Sequence, residues 1–405
     1  MSLDIRPTLS ALLRNRTGAV LVAAQVAIAL AVLANATYII VQRVETIHRA
    51  TGIDENNILV VESAGFTPRF NQTASVQEDL AYLRAAPGVI AATATNSIPL
   101  SNGGNNDSLV TRPGTARHGY INDIEVDEQG LDTLGVRLIA GRNFRHQEIQ
   151  PALTRNDAAH FVPVIIVSRA LGEYLFPQQN PLGKQVWDAF DHPATIIGVV
   201  DPVMGAFPAS DHPERVFFLP RMPDEFIVVR YLVRTQPGER DTVARLIESH
   251  LASSNPDRVL NFVRPLSYFK NLSYLGDSSM ELYLVTVTAL VIAVTSLGVF
   301  ALATFNVSTR TKQIGTRRAV GARRRDVVQY FMVENGLITS AGVLAGCGLA
   351  LAAGYWLSVR YALPRLELYY LVGGVVLLWA IGQLAAWQPA RGAASVPPSV
   401  ATRSV

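Results

Sequence analysis

Residues 310–334 read RTKQIGTRRAVGARRRDVVQYFMVE, from Arg310 to Glu334. Seven of these residues are basic (Arg310, Lys312, Arg317, Arg318, Arg323, Arg324 and Arg325), and two are acidic, Asp326 and Glu334. The stretches on either side, Leu282–Thr309 and Asn335–Val359, contain no Asp, Glu, Lys or Arg at all. A short Lys/Arg-rich loop between two apolar spans stays on the cytoplasmic side, because moving those charges outward across a bilayer is disfavoured. Residues 310–334 therefore set the orientation of the chain and are the part placed to meet a cytosolic partner.

Two further windows, Thr17–Gln42 and Leu368–Ala390, are equally free of charge. All four windows exceed the roughly 20 residues that cross a hydrocarbon core as a helix. Charged residues make up 17% of the chain and hydrophobic ones 49%, with a mean hydropathy of +0.23. A soluble domain carries about 25% charge, so the composition points away from a simply soluble protein. Thr17–Gln42 follows Arg14 and Arg16 as a signal peptide would. It is longer than the roughly 7–15 residues of a signal h-region and ends in Tyr38-Ile39-Ile40-Val41 before Arg43, so it reads as an uncleaved span.

The short-loop charges agree with one topology. Arg6, Arg14 and Arg16 hold the N-terminus inside, residues 310–334 lie inside, and Arg391 and Arg403 end inside. Arg360–Glu367 and the long segment from Arg43 to Glu281 lie outside, as long domains cross largely regardless of charge. The net charge of +3 is small and its basic excess flanks the membrane. No aromatic platform accompanies it, so nucleic acid is not expected as a partner. The lone cysteine, Cys347, sits between Gly346 and Gly348 in an apolar window, a place for packing rather than reactivity.

The expected fold is an α-helical membrane protein with four transmembrane helices and a large α+β domain inserted between helices 1 and 2. Residues 1–16 form an amphipathic helix on the inner surface, with Ile5, Leu9, Leu12 and Leu13 on one face. The spans are residues 17–42, 282–309, 335–359 and 368–390. Residues 43–281 form the outer domain, 310–334 the cytoplasmic segment, 360–367 a short outer loop and 391–405 a cytoplasmic tail. Val44, Ile47 and Ile53 carry the first helix on toward Gly52, and Tyr268, Leu272 and Leu275 mark a helix approaching the second span. Together they suggest a helical stalk. Within the outer domain Val60-Val61, Val164–Val167, Thr195–Val200 and Phe226–Val233 read as strands. Gln77–Arg84, Arg169–Leu175 and Asp241–Leu251 read as helices, and Asn102–Asn106 (NGGNN) as an exposed loop.

Enzymatic chemistry is missing from this pattern. The sequence has no G-x-x-x-x-G-K-[ST]; Pro181-Leu182-Gly183-Lys184-Gln185 lacks the first glycine and the hydroxyl that magnesium needs. The seven histidines are scattered, and His146 and His192 have no partner at metal-ligand spacing. Asp123, Glu125 and Asp127 fall on one side of a possible strand and read as a solvated face. No catalytic, cofactor-binding or metal residue is expected. In the basic segment, Gly315 and Gly321 bracket a short helix over Thr316–Val320 that presents Arg317 and Arg318, and Val327, Val328, Phe331 and Met332 give an apolar face leading into the third span.

On these residues the chain resembles a MacB/FtsX-type ABC permease. That family's R-x-[KR]-E-I-G-x-R-[RM]-A-[LV]-G-A run appears as Arg310, Lys312, Gln313, Ile314, Gly315, Arg317, Arg318, Ala319, Val320, Gly321 and Ala322, then Arg323–Asp326 and Glu334-Asn335. A P-A-R-x-A-A tail appears as Pro389, Ala390, Arg391, Ala393 and Ala394, with Pro398, Ala401 and Arg403 beyond. A third match is Gly141–Phe144, residues 164–186 and residues 196–203. Gln313 stands where the family usually has Glu, Asn335 where it has Ala, and Pro397 where the tail has Asp.

The resemblance implies a bacterial inner-membrane, multi-pass, non-catalytic subunit with both termini cytoplasmic and a periplasmic outer domain. It implies that Arg310, Lys312, Gln313, Ile314, Gly315, Arg317, Arg318, Gly321, Ala322, Arg323, Arg324, Arg325 and Glu334 couple to a separate ATPase, with Pro389, Ala390 and Arg391 as the tail motif. Two ATPase copies would carry ATP and Mg, none being bound here, and a second permease chain, identical or paralogous, would complete the membrane part. Motion rather than a conducted substrate would pass through the spans, for export of drugs, peptides or lipid-like molecules with a periplasmic adaptor and an outer-membrane channel. The alternatives are an FtsX-like regulator of a cell-wall hydrolase and a Lol-like lipoprotein-release permease.

Overall fold

The computed structural model describes residues 16–115, 121–151, 163–188, 191–223, 228–361, 365–395 and 397. The amphipathic helix expected over residues 1–16 lies outside the described residues apart from Arg16, as do residues 226–227 of one expected strand and the tail beyond 397. Two compact units divide the chain: Met1–His48 with Asp277–Val405, the membrane unit, and Arg49–Gly276, the outer unit.

The first helix, α1 (Arg16–His48), leads into the outer unit, which contains two sheets. In chain order its elements are β1 (Ile58–Gly65), α2 (Gln72–Ala85), β2 (Val89–Thr95), β3 (Asn105–Asp107), β4 (Ile121–Val126), α3 (Gly130–Leu134) and β5 (Leu138–Gly141). Then come β6 (Val164–Ser168), α4 (Arg169–Leu175), β7 (Gln185–Trp187), β8 (Pro193–Val200), β9 (Val216–Pro220), β10 (Val228–Thr235), α5 (Arg240–Ser254), β11 (Arg258–Pro265) and α6 (Leu266–Ser273). One sheet has the order β11-β1-β10-β2 and is antiparallel throughout. The other runs β3-β4-β9-β6-β8-β5, with β7 on β8, and pairs β4 with β9 and β6 with β8 in parallel.

Strand alternation sorts the side chains into layers. Val60 and Leu232 of the first sheet meet Ile124, Ile166 and Phe218 of the second in a core between the sheets. Leu59, Val61 and Tyr231 point the other way, against Leu80 of α2 and Ile247 of α5. Val167 and Phe217 cover the far face of the second sheet with Leu171 of α4. The result is a helix–sheet–sheet–helix stack. Two helices start at side-chain caps: Asn71 Oδ1 accepts from Ala74 N–H at 3.1 Å, and Ser168 Oγ accepts from Leu171 N–H at 3.2 Å.

The carboxylates at 123, 125 and 127 correct the expected solvated face, since all three are buried. Asn96 Nδ2 donates to Asp123 Oδ2 at 3.1 Å, Arg221 Nη1 donates to Glu125 Oε1 at 2.9 Å, and Arg84 pairs with Asp127. Buried charges persist only with such partners, and these come from residues far away in sequence. Burial, then the neighbouring Glu125 charge, pushes the Asp123 carboxyl up to about 7. The NGGNN stretch also differs from a plain loop, because Asn105 and Asn106 belong to β3.

In the membrane unit, α7 (Leu275–Thr309), α8 (Thr311–Ala319), α9 (Arg324–Tyr361) and α10 (Leu368–Ala394) follow. Among the described residues four helices, α1, α7, α9 and α10, are long and apolar enough to cross a membrane. Helix α9 begins at Arg324, so the charged residues up to Glu334 form its first turns rather than a separate loop. Gly342, Gly346, Ala350 and Gly354 recur every fourth residue along it. A Cβ on Gly342 would lie 2.7 Å from the Ala23 carbonyl oxygen, and one on Gly346 would lie 3.0 Å from Ala27 Cα. Small residues permit that backbone approach between α9 and α1 where lipid supplies no hydrophobic drive. Single amides add to the packing. Gln25 Nε2 donates to Val294 O at 2.8 Å, Asn35 Nδ2 to Ala350 O at 3.1 Å and Asn335 Nδ2 to Gly382 O at 3.0 Å.

Candidate coupling site

Helix α8 hangs between the ends of two long helices, and both of its junctions are built from residues of the basic segment. At the first, Arg310 interrupts the helical path after α7. Its Nη1 donates to Glu334 Oε2 at 2.9 Å, and the Glu334 side chain is 3% exposed. A buried ion pair is strongly destabilising to break from one side, because the remaining charge is left uncompensated. Arg310 Nη1 also lies 3.4 Å from the Tyr330 hydroxyl. Glu334 faces a polar hollow shared with Asn306 and Asn335 among apolar side chains.

The second junction follows from Gly321. At φ 104° it occupies a conformation open to glycine and disfavoured for other residues. Gly321 N–H donates to Arg318 O and Ala322 N–H to Arg317 O, each at 3.1 Å. Those two bonds are a Schellman ending, which satisfies the last carbonyls of α8. The next helix starts at once: Asp326 Oδ2, three residues in, accepts from Arg323 N–H at 2.9 Å, one half of a capping box. Gly315 does not bracket a turn as expected. It is buried inside α8, which starts five residues before Thr316, because Ile314 beside it anchors the helix.

Ile314, 5% exposed, packs with Val327 and Phe331 of α9 and with Ala390, Ala393 and Ala394 of α10. The Arg317 guanidinium lies 4.8 Å from the centroid of the Tyr330 ring, a cation–π contact. The structure thus joins Arg310 to Glu334 and Ile314 to Ala390 of the tail motif. It does not bring Arg391 into this cluster: that guanidinium sits 5.4 Å from the Trp387 ring centroid, on an exposed part of α10. Pro389 is buried in the same helix.

The outward side of the segment consists of Lys312, Gln313, Thr316, Arg317, Ala319, Val320, Gly321, Arg323, Arg324 and Arg325, all exposed, whereas Arg318 and Ala322 are half-buried. Glu334 is paired with Arg310, and half-buried Asp326, held by the Arg323 amide, is the other acid of the segment, so the face stays strongly basic. Val320 stands 85% exposed at its tip, a position that sequence reasoning treated only as the end of a helix. An apolar knob ringed by cations fits a partner with a small apolar socket and an acidic rim. The face holds no acid–base pair and no nucleophile with a base.

Two family models match the chain: FtsX-like permease C-terminal over residues 285–398, and MacB-like periplasmic core domain over residues 19–250. The chain is 25% identical over 279 residues to the macrolide export ATP-binding/permease protein MacB of Neisseria gonorrhoeae, covering 67% of this chain and 42% of that protein. It is 28% identical over 311 residues to the protein of the same name from Bartonella quintana, covering 72% and 44% respectively. The chain therefore spans less than half the length of these curated relatives. The periplasmic region of MacB from Actinobacillus actinomycetemcomitans, a crystal structure, aligns with a TM-score of 0.35 and 18% identity, over 56% of this chain and 97% of that one.

Proposed function

This chain belongs to the family of ABC-type permeases with a MacB-like periplasmic core domain, and from that premise we propose that it is the membrane-spanning, non-catalytic subunit of an exporter driven by a separate ATPase. The strongly basic face around Val320 carries the reading. It belongs to a helix fastened to α9 through Arg310 and Glu334 and to α10 through Ile314 and Ala390. A partner gripping that face moves three helices of the membrane unit together.

ATP and Mg belong on the partner, present in two copies against two permease chains. The relatives' names join ATP binding and permease in one protein, while the sequence of this chain carries no phosphate-binding loop. Both termini and the basic segment lie in the cytoplasm by the positive-inside rule, and the outer unit lies in the periplasm. Apolar spans with few ionisable groups suit transmission of motion better than passage of a polar solute. The MacB-like core domain over residues 19–250 favours export over hydrolase regulation or lipoprotein release. The cargo is then a drug, peptide or lipid-like molecule, handed to a periplasmic adaptor and an outer-membrane channel.

Charge reversal tests the grip. Arg317→Glu with Arg324→Glu should lower co-purification with the ATPase at least about tenfold while leaving membrane insertion intact, since opposed charges at an interface select against the wrong partner. Undiminished co-purification of the double variant would remove this face from the interface.

A further inference from the structure

Both ends of the outer unit are held by one short loop, residues 201–206 (DPVMGA). At the entering end, three residues after α1, Thr51 O accepts from Met204 N–H at 2.9 Å. Gly52 is at φ 73°, and a Cβ there would lie 1.9 Å from Pro202 O. At the leaving end the connection runs through residues 98–104. Gly205 O accepts from Leu100 N–H at 2.9 Å, and Ala206 O accepts from Asn102 N–H at 2.8 Å. From the other side Ser273, the last residue of α6, places its Oγ 2.5 Å from Leu100 O, and Asn102 Nδ2 donates to Ser273 O at 3.2 Å. Lys270 Nζ of the same helix pairs with Glu55 Oε1 at 2.8 Å. Two residues after Ser273 the long helix α7 begins.

Leu100 is the irregular member of this junction. It is fully buried in the core between the sheets, yet its φ is 62°, a left-handed conformation that side-chain-bearing residues avoid. Asn102 is left-handed too, at φ 56°, which asparagine tolerates better. Conformations of this kind persist only where the surroundings over-determine them. Here the surroundings are Gly205, Ala206 and the end of α6.

We propose that residues 98–104 are a strained catch that reads the position of α6. Displacement of Ser273 withdraws the bonds at Leu100 O and Asn102 Nδ2. Leu100 then relaxes to an extended conformation, and the 101–104 tip leaves the loop that also holds Thr51. Ser273 and Leu100 are positioning residues in this scheme. The catch follows from the geometry of the outer unit; only the force that opens it rests on the permease reading.

Hydrogen exchange on the full chain in lipid nanodiscs tests the catch without a partner. Ser273→Ala should speed exchange of the Leu100 and Asn102 amides about tenfold, the fold-change of one lost hydrogen bond, with Ile165 and Ile196 unchanged. Unchanged exchange at 100 and 102, or equal acceleration across the whole outer unit, overturns it. Strain is tested by paired truncations, which both remove the buried isopropyl group: Leu100→Gly should melt above Leu100→Ala, the reverse of the order usual for residues at negative φ. Alanine melting higher overturns the strain. With the ATPase and nucleotide added, the wild-type amides at 100 and 102 should exchange faster. If they stay slow while Ser273→Ala responds as expected, the drive from the permease reading fails and the catch stands.

Discussion

The outer unit places full charges inside its core, whereas the membrane unit holds the Arg310–Glu334 pair at the α8 junction and knits its spans with neutral amides. Arg258, 7% exposed, pairs with Asp79 at 2.5 Å, and Asp79 also accepts from the Tyr231 hydroxyl at 2.7 Å. Arg221–Glu125 and Arg84–Asp127 are buried in the same unit. Between spans Gln25, Asn35 and Asn335 each donate to a backbone carbonyl. The difference reflects what drives assembly. Large apolar areas leaving water can carry the desolvation of a few paired charges. In lipid the apolar surface is already solvated, so helices associate through close backbone approach and weak hydrogen bonds.

Removing one partner of an outer-unit pair should have the largest effect. Arg258→Ala leaves Asp79 buried and uncompensated and should cost about 3–5 kcal/mol, read as a lowered midpoint of chemical unfolding of the outer unit. A loss under about 1 kcal/mol would show that charge burial is not what distinguishes the two units.

The next effect depends on pH. The Asp123 carboxyl titrates near 7 in the fold against 3.8 ordinarily, so the folded state holds a proton that the unfolded state releases. Stability from this group falls as pH rises from about 4 to about 7 and is level above that. Asp123→Asn should therefore stabilise the outer unit on the order of a few kcal/mol at pH 8 and hardly at pH 4. Thermal melts of both proteins at several pH values provide the check, and parallel pH profiles would contradict the assignment.

The smallest effect belongs to the membrane unit. Asn335→Ala, which installs the residue usual in the resembled family, should cost roughly 0.6 kcal/mol, measured by unfolding in bicelles. A cost of several kcal/mol would mean that interhelical amides are as decisive here as ion pairs are in the outer unit.

Local patterns were the most legible part of the sequence. The helix expected at Arg169–Leu175 is α4 with the same ends, and the strands expected at Val164–Val167 and Thr195–Val200 lie within β6 and β8. Each is marked by its own composition, and α4 by the Ser168 cap as well. The charge-free windows likewise lie inside the four long helices, although α9 starts at Arg324, where Asp326 caps the Arg323 amide. Partnerships across the chain left no local mark. Asp123, Glu125 and Asp127 look like a solvated face until Asn96, Arg221 and Arg84 are known to stand beside them. At the candidate site the cluster of cations was legible, but the Arg310–Glu334 pair, the anchoring by Ile314 and the exposure of Val320 needed three helices in place.

The stripe Gly342, Gly346, Ala350 and Gly354 has a consequence for stiffness. With backbone against backbone at Gly342 and Gly346, α1 and α9 have no soft side-chain layer there to absorb a shear, and no room for an acyl chain to wedge them apart. A pull on the first turns of α9 is therefore handed to α1 backbone to backbone, at Ala23 and Ala27.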